Sequence, residues 1–578
     1  MDAEVRFLFR AIRSEMPNTF VKKRTAAKPA KRTTISPWDD QTRLLLWLAT
    51  CVAIISFLFF FQKGDVLLYG DAIAHINIAR RVFDSKTPGL LQLGTVWLPL
   101  PHLLMIPFLI SKQLWQRGVG GSIPSLIAYM WAVVGMFRLV RGAFASADAD
   151  DPAAPFAAWT AAIVFAANPN LIYMQTTAMG EALYLAFFIW AVVYLRESIP
   201  SDQRALTKSA LCVAAACLTR YDGWFLAGAM CVVVIAARIG AAKARASGDH
   251  APRWCPAAGR FVLIAAAAPI FWLAYNGIVY RNPLEFENGP YSAKAIEHTT
   301  QNAANPGHPG SGNLAVAGLY FLKSAEDNMA ANPWLGRLWL ALGAAGMIIF
   351  GLTFRDPKSR GRLALLLLFV PLPFYPLSVA YGGVPIFIPE FWPHTHYNVR
   401  YGLQLLPAFA ASVGALMYLA VRSKRWNEKA RAGLVIGVLA LLVVSYVSIW
   451  RSGPICLQEA EINMRTRNEL EAQVAQWLEK LPPNATLLMS LGDHVGALEK
   501  AGIPLSHVIN EGNHRVWKQP ADPEGLWERA LADPPKYADY VVAFEGNPVW
   551  QSVQHDHLKE LVEIHVLGQP RAFIYSTR

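Results

Sequence analysis

A few charged residues in this sequence interrupt long apolar runs, and their spacing suggests chemistry. Asp71 and His75 are spaced i,i+4, so a helix that begins at Asp71 puts both on one face. A carboxylate beside an imidazole could take a proton from a hydroxyl; the plainer reading makes Asp71 the N-cap of that helix, a role that Asp favours. Arg220 and Arg400 fall at the ends of apolar runs, where an isolated arginine is expensive and acquires a partner or a ligand. Their guanidinium forks suit phosphate oxygens, against an internal pair of Arg220 with Asp222 or a snorkelling of Arg400 to the interface. Glu181 is the one charged residue in 152–195. It either supports an acceptor or a metal, or caps the helix that follows. Glu390, His394 and His396 could ligate a divalent metal, Mg or Mn, although short His-x-His runs also occur in interfacial aromatic loops. Arg80 lies about 180° from Asp71 at about 100° per residue, so the two do not pair; Arg80 faces lipid phosphates or the rest of its loop.

The elements that must position these residues follow from composition. Of 578 residues 54% are hydrophobic and 16% charged, whereas a soluble globular protein carries about 25% charged residues. That excludes a soluble enzyme. The runs 44–61, 401–421 and 432–450 are each close to the roughly 20 residues that span a bilayer as a helix. The net charge of +12 sits in short tracts between apolar runs, which is a topology signal and not a nucleic-acid footprint. Basic tracts at 6–32, Arg138/Arg141, Arg196/Arg204/Lys208, 238–260, 355–362 and 422–431 should face the cytoplasm. Alternation between them predicts about eleven spans, near 43–62, 123–141, 156–174, 182–196, 207–219, 221–237, 261–280, 334–354, 363–381, 401–421 and 432–450. The N-terminus is then inside and the C-terminus outside, with 44–61 a retained anchor. Six scattered cysteines without a CxxC spacing predict neither a disulfide framework nor a Cys zinc site.

Three domains follow: a basic cytoplasmic segment, 1–42; a transmembrane domain, 43–451, with large outer loops at 63–122 and 281–333; and an outer-face α/β domain, 452–578. The first loop carries two helix-like stretches, 71–84 and 95–114, the second broken by Pro99, Pro101 and Pro107 and suited to the interface. The second loop contains a Gly/Pro/Asn-rich stretch, 302–313, that reads as a mobile loop and makes 281–333 a candidate lid. Turns fall at Asn168-Pro169-Asn170 and at Arg220-Tyr221-Asp222-Gly223. In the last domain the pattern predicts helices at 460–480, 494–501 and 555–561 and strands at 485–489, 540–544, 561–567 and 572–575. It has no Gly-rich phosphate loop and is assigned no chemistry.

Several of these motifs resemble a known family in the expected order over 43–420. Asp71 followed by Ala79-Arg80, after a first transmembrane helix, is similar to the first-loop motif of the GT-C membrane glycosyltransferases. The nearer resemblance is to the family 39 group, which includes protein mannosyltransferases and the aminoarabinose transferase of lipid A. Trp97-Leu98-Pro99-Leu100-Pro101 resembles its Trp-x-x-Pro-Pro stretch, and Leu139-Val140-Arg141-Gly142-Ala143-Phe144 its Arg-x-Phe-Gly turn. Leu218 to Trp224, and Arg400-Tyr401 with Leu405-Leu406-Pro407, also resemble family segments.

The resemblance implies an all-α polytopic membrane domain of GT-C type with juxtamembrane helices, followed by the soluble α/β domain. It implies an inverting transfer of a sugar from a polyprenyl-phosphate donor to a lipid, glycan or protein acceptor on the periplasmic face of the inner membrane. Asp71 is then the general base or acceptor-orienting carboxylate, with Glu181 and His75 assisting. Arg220, Arg400 and Tyr401 are the expected donor-phosphate contacts. Trp97, His102, Asp222 and Tyr291 are the candidates for substrate contact, His102 among its prolines also reading as structural. Glu181 follows Met179-Gly180 where the group commonly has an Asp, so the need for a metal stays open. Two rivals remain: a lipid-linked-sugar transporter, which predicts mid-span charges and broken helices in two related halves, and a non-catalytic envelope scaffold, which predicts that the outer-loop charges tolerate replacement.

Overall fold

The computed structural model describes residues 38–145, 151–199, 202–246, 255–300, 307–353, 357–422, 427–492, 494–513, 523–554 and 558–578. Residues 1–37 of the basic segment 1–42 and residues 301–306 of the expected mobile loop lie outside the described residues.

The chain begins with α1 (Asp40–Lys63), started by the Asp39 carboxylate, which accepts from the Thr42 N–H at 3.0 Å, and ended at Gly64, whose φ of 81° suits glycine. Next come α2 (Gly70–Arg81), α3 (Pro99–Leu109) and α4 (Val119–Ala143). Pro99 opens α3, where its missing N–H costs nothing. The expected 152–195 hairpin is α5 (Ala153–Ala166), the short α6 (Pro169–Met174) and α7 (Glu181–Glu197). Asn168 caps α6 and is itself buried, donating to the Asn328 carbonyl at 2.9 Å. After α8 (Gln203–Cys217) the chain turns at 218–221 into α9 (Asp222–Ala246), followed by α10 (Cys255–Val279). Only a glycine fits at Gly223, because a Cβ there would lie 2.5 Å from the Ala216 carbonyl.

Eight helices among the described residues are long and apolar enough to cross a membrane by length and composition. They coincide with eight of the eleven expected spans; the other three, at 156–174, 182–196 and 207–219, are helical but shorter. The expected cytoplasmic ends meet at one end of the bundle. Arg141 pairs with Asp39 at 2.5 Å, Arg138 with Glu197 at 2.6 Å and Arg422 with Asp151 at 2.9 Å.

The second outer loop contains a helix that the sequence reading passed over, α11 (Leu314–Met329), preceded by the short helices Glu285–Asn288 and Ala293–Thr300. Asn313 caps α11, and the Gly312 N–H donates to the Ala380 carbonyl at 2.8 Å, so this end of the glycine-rich stretch is tied to the bundle. Then come α12 (Pro333–Leu352), α13 (Pro371–Tyr381), α14 (Leu406–Arg422) and α15 (Glu428–Ser452). Helix α14 is apolar all round and buried nearly throughout, packed on α5 and α12, as a central helix must be.

Gly453-Pro454 ends α15 and starts α16 (Ile455–Leu478), which leads into a five-stranded mixed sheet of order β2-β1-β3-β5-β4. Strands β1 (Leu487–Met489), β2 (Val508–Ile509) and β3 (Tyr540–Phe544) run parallel; β4 (Lys559–Ile564) and β5 (Ala572–Ser576) add antiparallel to β3. The expected helix at 555–561 is corrected over its described part: 559–564 is the edge strand β4, a helix lies earlier at Pro548–Val553, and 555–557 are outside the described residues. Its charges misled the periodicity. Lys559, Glu560 and Glu563 guard an open sheet edge, with Glu563 held by Arg571 at 3.0 Å.

Candidate functional site

At the end of the bundle opposite the Arg138–Glu197 pair, five charged side chains from five separate segments converge. Helix α2 carries Asp71 in its first turn. Its N-cap is Tyr69, so the capping role expected as the plainer reading of Asp71 does not hold. Tyr69 is anchored by its hydroxyl, which donates to the Cys456 carbonyl at 2.8 Å. Glu181 is the first residue of α7, and Arg220 sits in the turn between α8 and α9. Arg400 belongs to a 3-10 turn, Val399–Leu405, that Asn328 holds by donating to the Val399 carbonyl at 2.7 Å.

Arg400 is the hub. Its Nη2 donates to Asp71 Oδ2 at 2.7 Å, its Nε to Glu181 Oε1 at 3.2 Å and its Nη1 to Glu459 Oε1. Glu459 also accepts from the backbone N–H of Asn398 at 2.9 Å. Glu181 Oε1 takes a second arginine, Arg220 Nη1, at 2.8 Å, and Arg220 Nη2 reaches the Tyr375 hydroxyl at 3.2 Å. Tyr375 in turn donates to Asp222 Oδ2 at 2.8 Å. The expected Arg220–Asp222 pair is present at 3.5 Å, but it is looser than the bond to Glu181. Snorkelling of Arg400 is overturned: three carboxylates hold the guanidinium in place with 7% of its side chain exposed. Tyr401 stands between the two arginines, its ring centroid 5.1 Å from the Arg220 guanidinium and 5.4 Å from that of Arg400.

The three carboxylates on Arg400 are unequal. Glu181 and Glu459 are 0% and 1% exposed, whereas 40% of the Asp71 side chain is open. Asp71 Oδ2 is spent on Arg400; no hydrogen bond to Oδ1 occurs among the described residues.

His75 shares the Asp71 face, as the i,i+4 spacing requires, and both line one cavity of about 980 Å³. Its Nδ1 lies 2.8 Å from His102 Nε2. Burial pushes His75 below the ordinary imidazole range, partly offset by Asp71, so it is neutral at pH 7. His102 is wholly buried and its Nδ1 has no partner among the described residues. A buried lone pair without a partner is more tolerable than a buried N–H without one. The shared proton therefore belongs to His102 Nε2, which leaves a proton on His75 Nε2, a neutral donor at the cavity wall. His102 itself does not line the cavity, which favours its structural reading. Trp97, Asp222 and Tyr291 line the same space. Arg80 is turned away, bonded to Asp84 at 2.8 Å and to the Leu109 carbonyl at 2.6 Å: it serves the loop, not lipid.

The metal expectation at Glu390, His394 and His396 finds no ligand set. Glu390 pairs with Lys323 at 3.2 Å, His394 Nδ1 faces the Pro389 carbonyl at 3.0 Å, and among the described residues no three His, Cys, Asp or Glu side chains are placed to hold a metal ion. The cation at the centre of Asp71, Glu181 and Glu459 is a guanidinium.

Sequence reasoning missed Glu459, in a domain assigned no chemistry, and Tyr375. A signal for Glu459 existed: it falls on the apolar face of α16 formed by Cys456, Ala460 and Met464, where a solvated glutamate has no place.

The structure can now be set beside known proteins. No family model matches the chain, and no curated protein does. Among solved structures, ArnT from Cupriavidus metallidurans, both in the apo state and bound to undecaprenyl phosphate, superposes with a TM-score of 0.54 over 93% of this chain and 98% of that one, at 14% identity. The chain has a GT-C fold. The oligosaccharyltransferase of Archaeoglobus fulgidus also matches, at 11% identity and a TM-score of 0.45 over 87% of this chain and 69% of that one, a likeness too slight to argue from. With this fold and its apolar helices, the GT-C chain is an integral membrane protein.

Proposed function

We propose that this chain is a membrane glycosyltransferase that moves a sugar from a polyprenyl-phosphate donor to an acceptor hydroxyl on the outer face of the inner membrane. The observation that carries the reading is the inequality of the carboxylates around Arg400. Two are sealed and fix the guanidinium, while Asp71 presents a free oxygen to the cavity. In the reaction Asp71 Oδ1 takes the acceptor's proton, the acceptor oxygen bonds to the anomeric carbon, and the bond from that carbon to the phosphate oxygen breaks with its electron pair leaving on the polyprenyl phosphate. Arg220 is placed to meet that leaving group: it lines the cavity and its side chain keeps 18% exposure there, while its Nε is turned to Asp222 Oδ2 at 3.5 Å. Arg400 and Glu181 hold Asp71 and Arg220 in register, an organisation that needs no rearrangement as charge develops.

The route for the donor's lipid tail is supported by Phe225 on α9 and Leu377 on α13, both cavity-lining, apolar, and 38% and 40% exposed. The GT-C relative ArnT was crystallised with undecaprenyl phosphate, a ligand of the chemistry proposed for this site.

The test is turnover of radiolabelled undecaprenyl-phosphate sugars by full-length protein in lipid nanodiscs. Asp71→Asn keeps the bond to Arg400 but loses the base, and turnover should fall by about 10²- to 10⁴-fold with the thermal unfolding profile unchanged. Near-normal turnover in that variant would remove Asp71 from the mechanism.

A further inference from the structure

The charge around the cavity specifies the acceptor more narrowly than the fold does. Five carboxylates line the cavity: Asp71, Glu181, Asp222, Glu287 and Glu297. Among the described residues the permanent cations in its wall are two, Arg220 and Arg400, and both are engaged with carboxylates. Of the acids away from the arginines, Glu287 binds Lys294 at 2.5 Å and Glu297 binds His308 at 2.5 Å. Crediting both of those partners as cations still leaves the wall without positive excess, and Glu459 adds a further negative charge behind Arg400. One phosphate, the donor's, can be met by the open side of Arg220. A second anion would enter a wall of its own sign with every cation taken, an arrangement that rejects ligands strongly in a recessed site.

The lining also carries aromatic rings, among them Tyr291, Trp392, Phe286 and Phe387. Ring faces cover the C–H faces of a pyranose, and carboxylates accept from its hydroxyls; together they form a surface that fixes a sugar by its neutral groups.

We propose that the acceptor is an uncharged carbohydrate hydroxyl and not a phosphate ester, an inference that rests on the transferase reading above. The acceptor's hydroxyl proton passes to Asp71, its oxygen forms the new glycosidic bond, and the polyprenyl phosphate leaves as the one anion in the site.

The experiment supplies the full-length protein in nanodiscs with the undecaprenyl-phosphate sugar that it turns over and with paired acceptors, octyl mannoside and octyl glucoside against their 6-phosphates. The neutral glycosides should be glycosylated with a kcat/KM roughly 10-fold or more above that of the phosphates. Glu287→Gln, which frees Lys294, and Glu297→Gln should narrow that gap by raising kcat/KM for the phosphates relative to the neutral glycosides, a change of ratio that a merely structural role would not produce. Equal or preferred use of the phosphates would overturn the proposal, as would donor hydrolysis with no transfer to either glycoside. In both cases the donor is still turned over, so the transferase reading stands. A protein that turns over no donor at all would sink the two readings together.

Discussion

Glu459 accepts two kinds of donor at once, the Arg400 guanidinium and the backbone N–H of Asn398, and it is buried. Its charge therefore holds Arg400, and through Arg400 the open carboxylate of Asp71. Glu459→Gln keeps an acceptor for Asn398 but leaves the buried guanidinium with two carboxylates in place of three. Such a loss costs about 3 kcal/mol of stability, and a small displacement of the guanidinium should lower kcat roughly 10-fold or more. Donor KM should move little, since Glu459 lies outside the cavity wall; an unchanged kcat in a destabilised variant would reduce Glu459 to a structural role. The contrast with the other four charges explains what was legible beforehand. Asp71, Glu181, Arg220 and Arg400 stand out because each interrupts an apolar run. Glu459 lies where charges come every few residues, and its burial depends on which face of α16 meets the membrane domain. Whether Asp71 caps its helix or faces a ligand was likewise undecidable from local sequence, because Arg400 lies 329 residues away.

At the scale of elements, the helix that carries Asp71 and His75 is clamped by the C-terminal domain. Asn77, two residues after His75, donates to Glu499 Oε2 at 2.9 Å while Trp115 Nε1 donates to Asn77 Oδ1 at 3.1 Å, and Gln116 reaches the Glu499 carbonyl at 3.2 Å. Burial raises the Glu499 carboxyl from its ordinary 4.5 to about 8, against the lowering pull of Asn77 and Lys500 and with a further push from Glu471. The sign follows directly. Between 4.5 and about 8 the folded protein keeps a proton that the unfolded chain has released, so stability falls as pH rises through that window. The full slope is about 1.4 kcal/mol per pH unit, and it vanishes below the window, where both states are protonated. Glu499→Gln cannot ionise, so its Tm should match the wild type near pH 5 and exceed it at pH 8. A Tm difference that is the same at both pH values would rule out the buried charge. Long apolar helices such as α1 and α15 were plain in the sequence because the bilayer demands them. The strand β4 was not, since an edge strand that guards itself with Lys559, Glu560 and Glu563 has the polarity of a surface helix.

The whole molecule is polar along the membrane normal. At one end Arg138, Arg141 and Arg422 bind Glu197, Asp39 and Asp151; at the other lie the five-charge site and the α/β domain docked on it. Basic residues beside spans are retained in the cytoplasm, so the site and the C-terminal domain should face the periplasm, where a polyprenyl-phosphate donor and a cell-envelope glycan can both reach the cavity. Leu567 offers a direct reading, because it is 85% exposed in the turn between β4 and β5. In Leu567→Cys a membrane-impermeant maleimide should label intact expressing cells as fully as lysed ones, with the unaltered chain and its six native cysteines as the background. Labelling that requires lysis would place the domain in the cytoplasm. The site would then open toward nucleotide-sugar pools in place of lipid-linked ones, and the donor assignment would fall with the orientation.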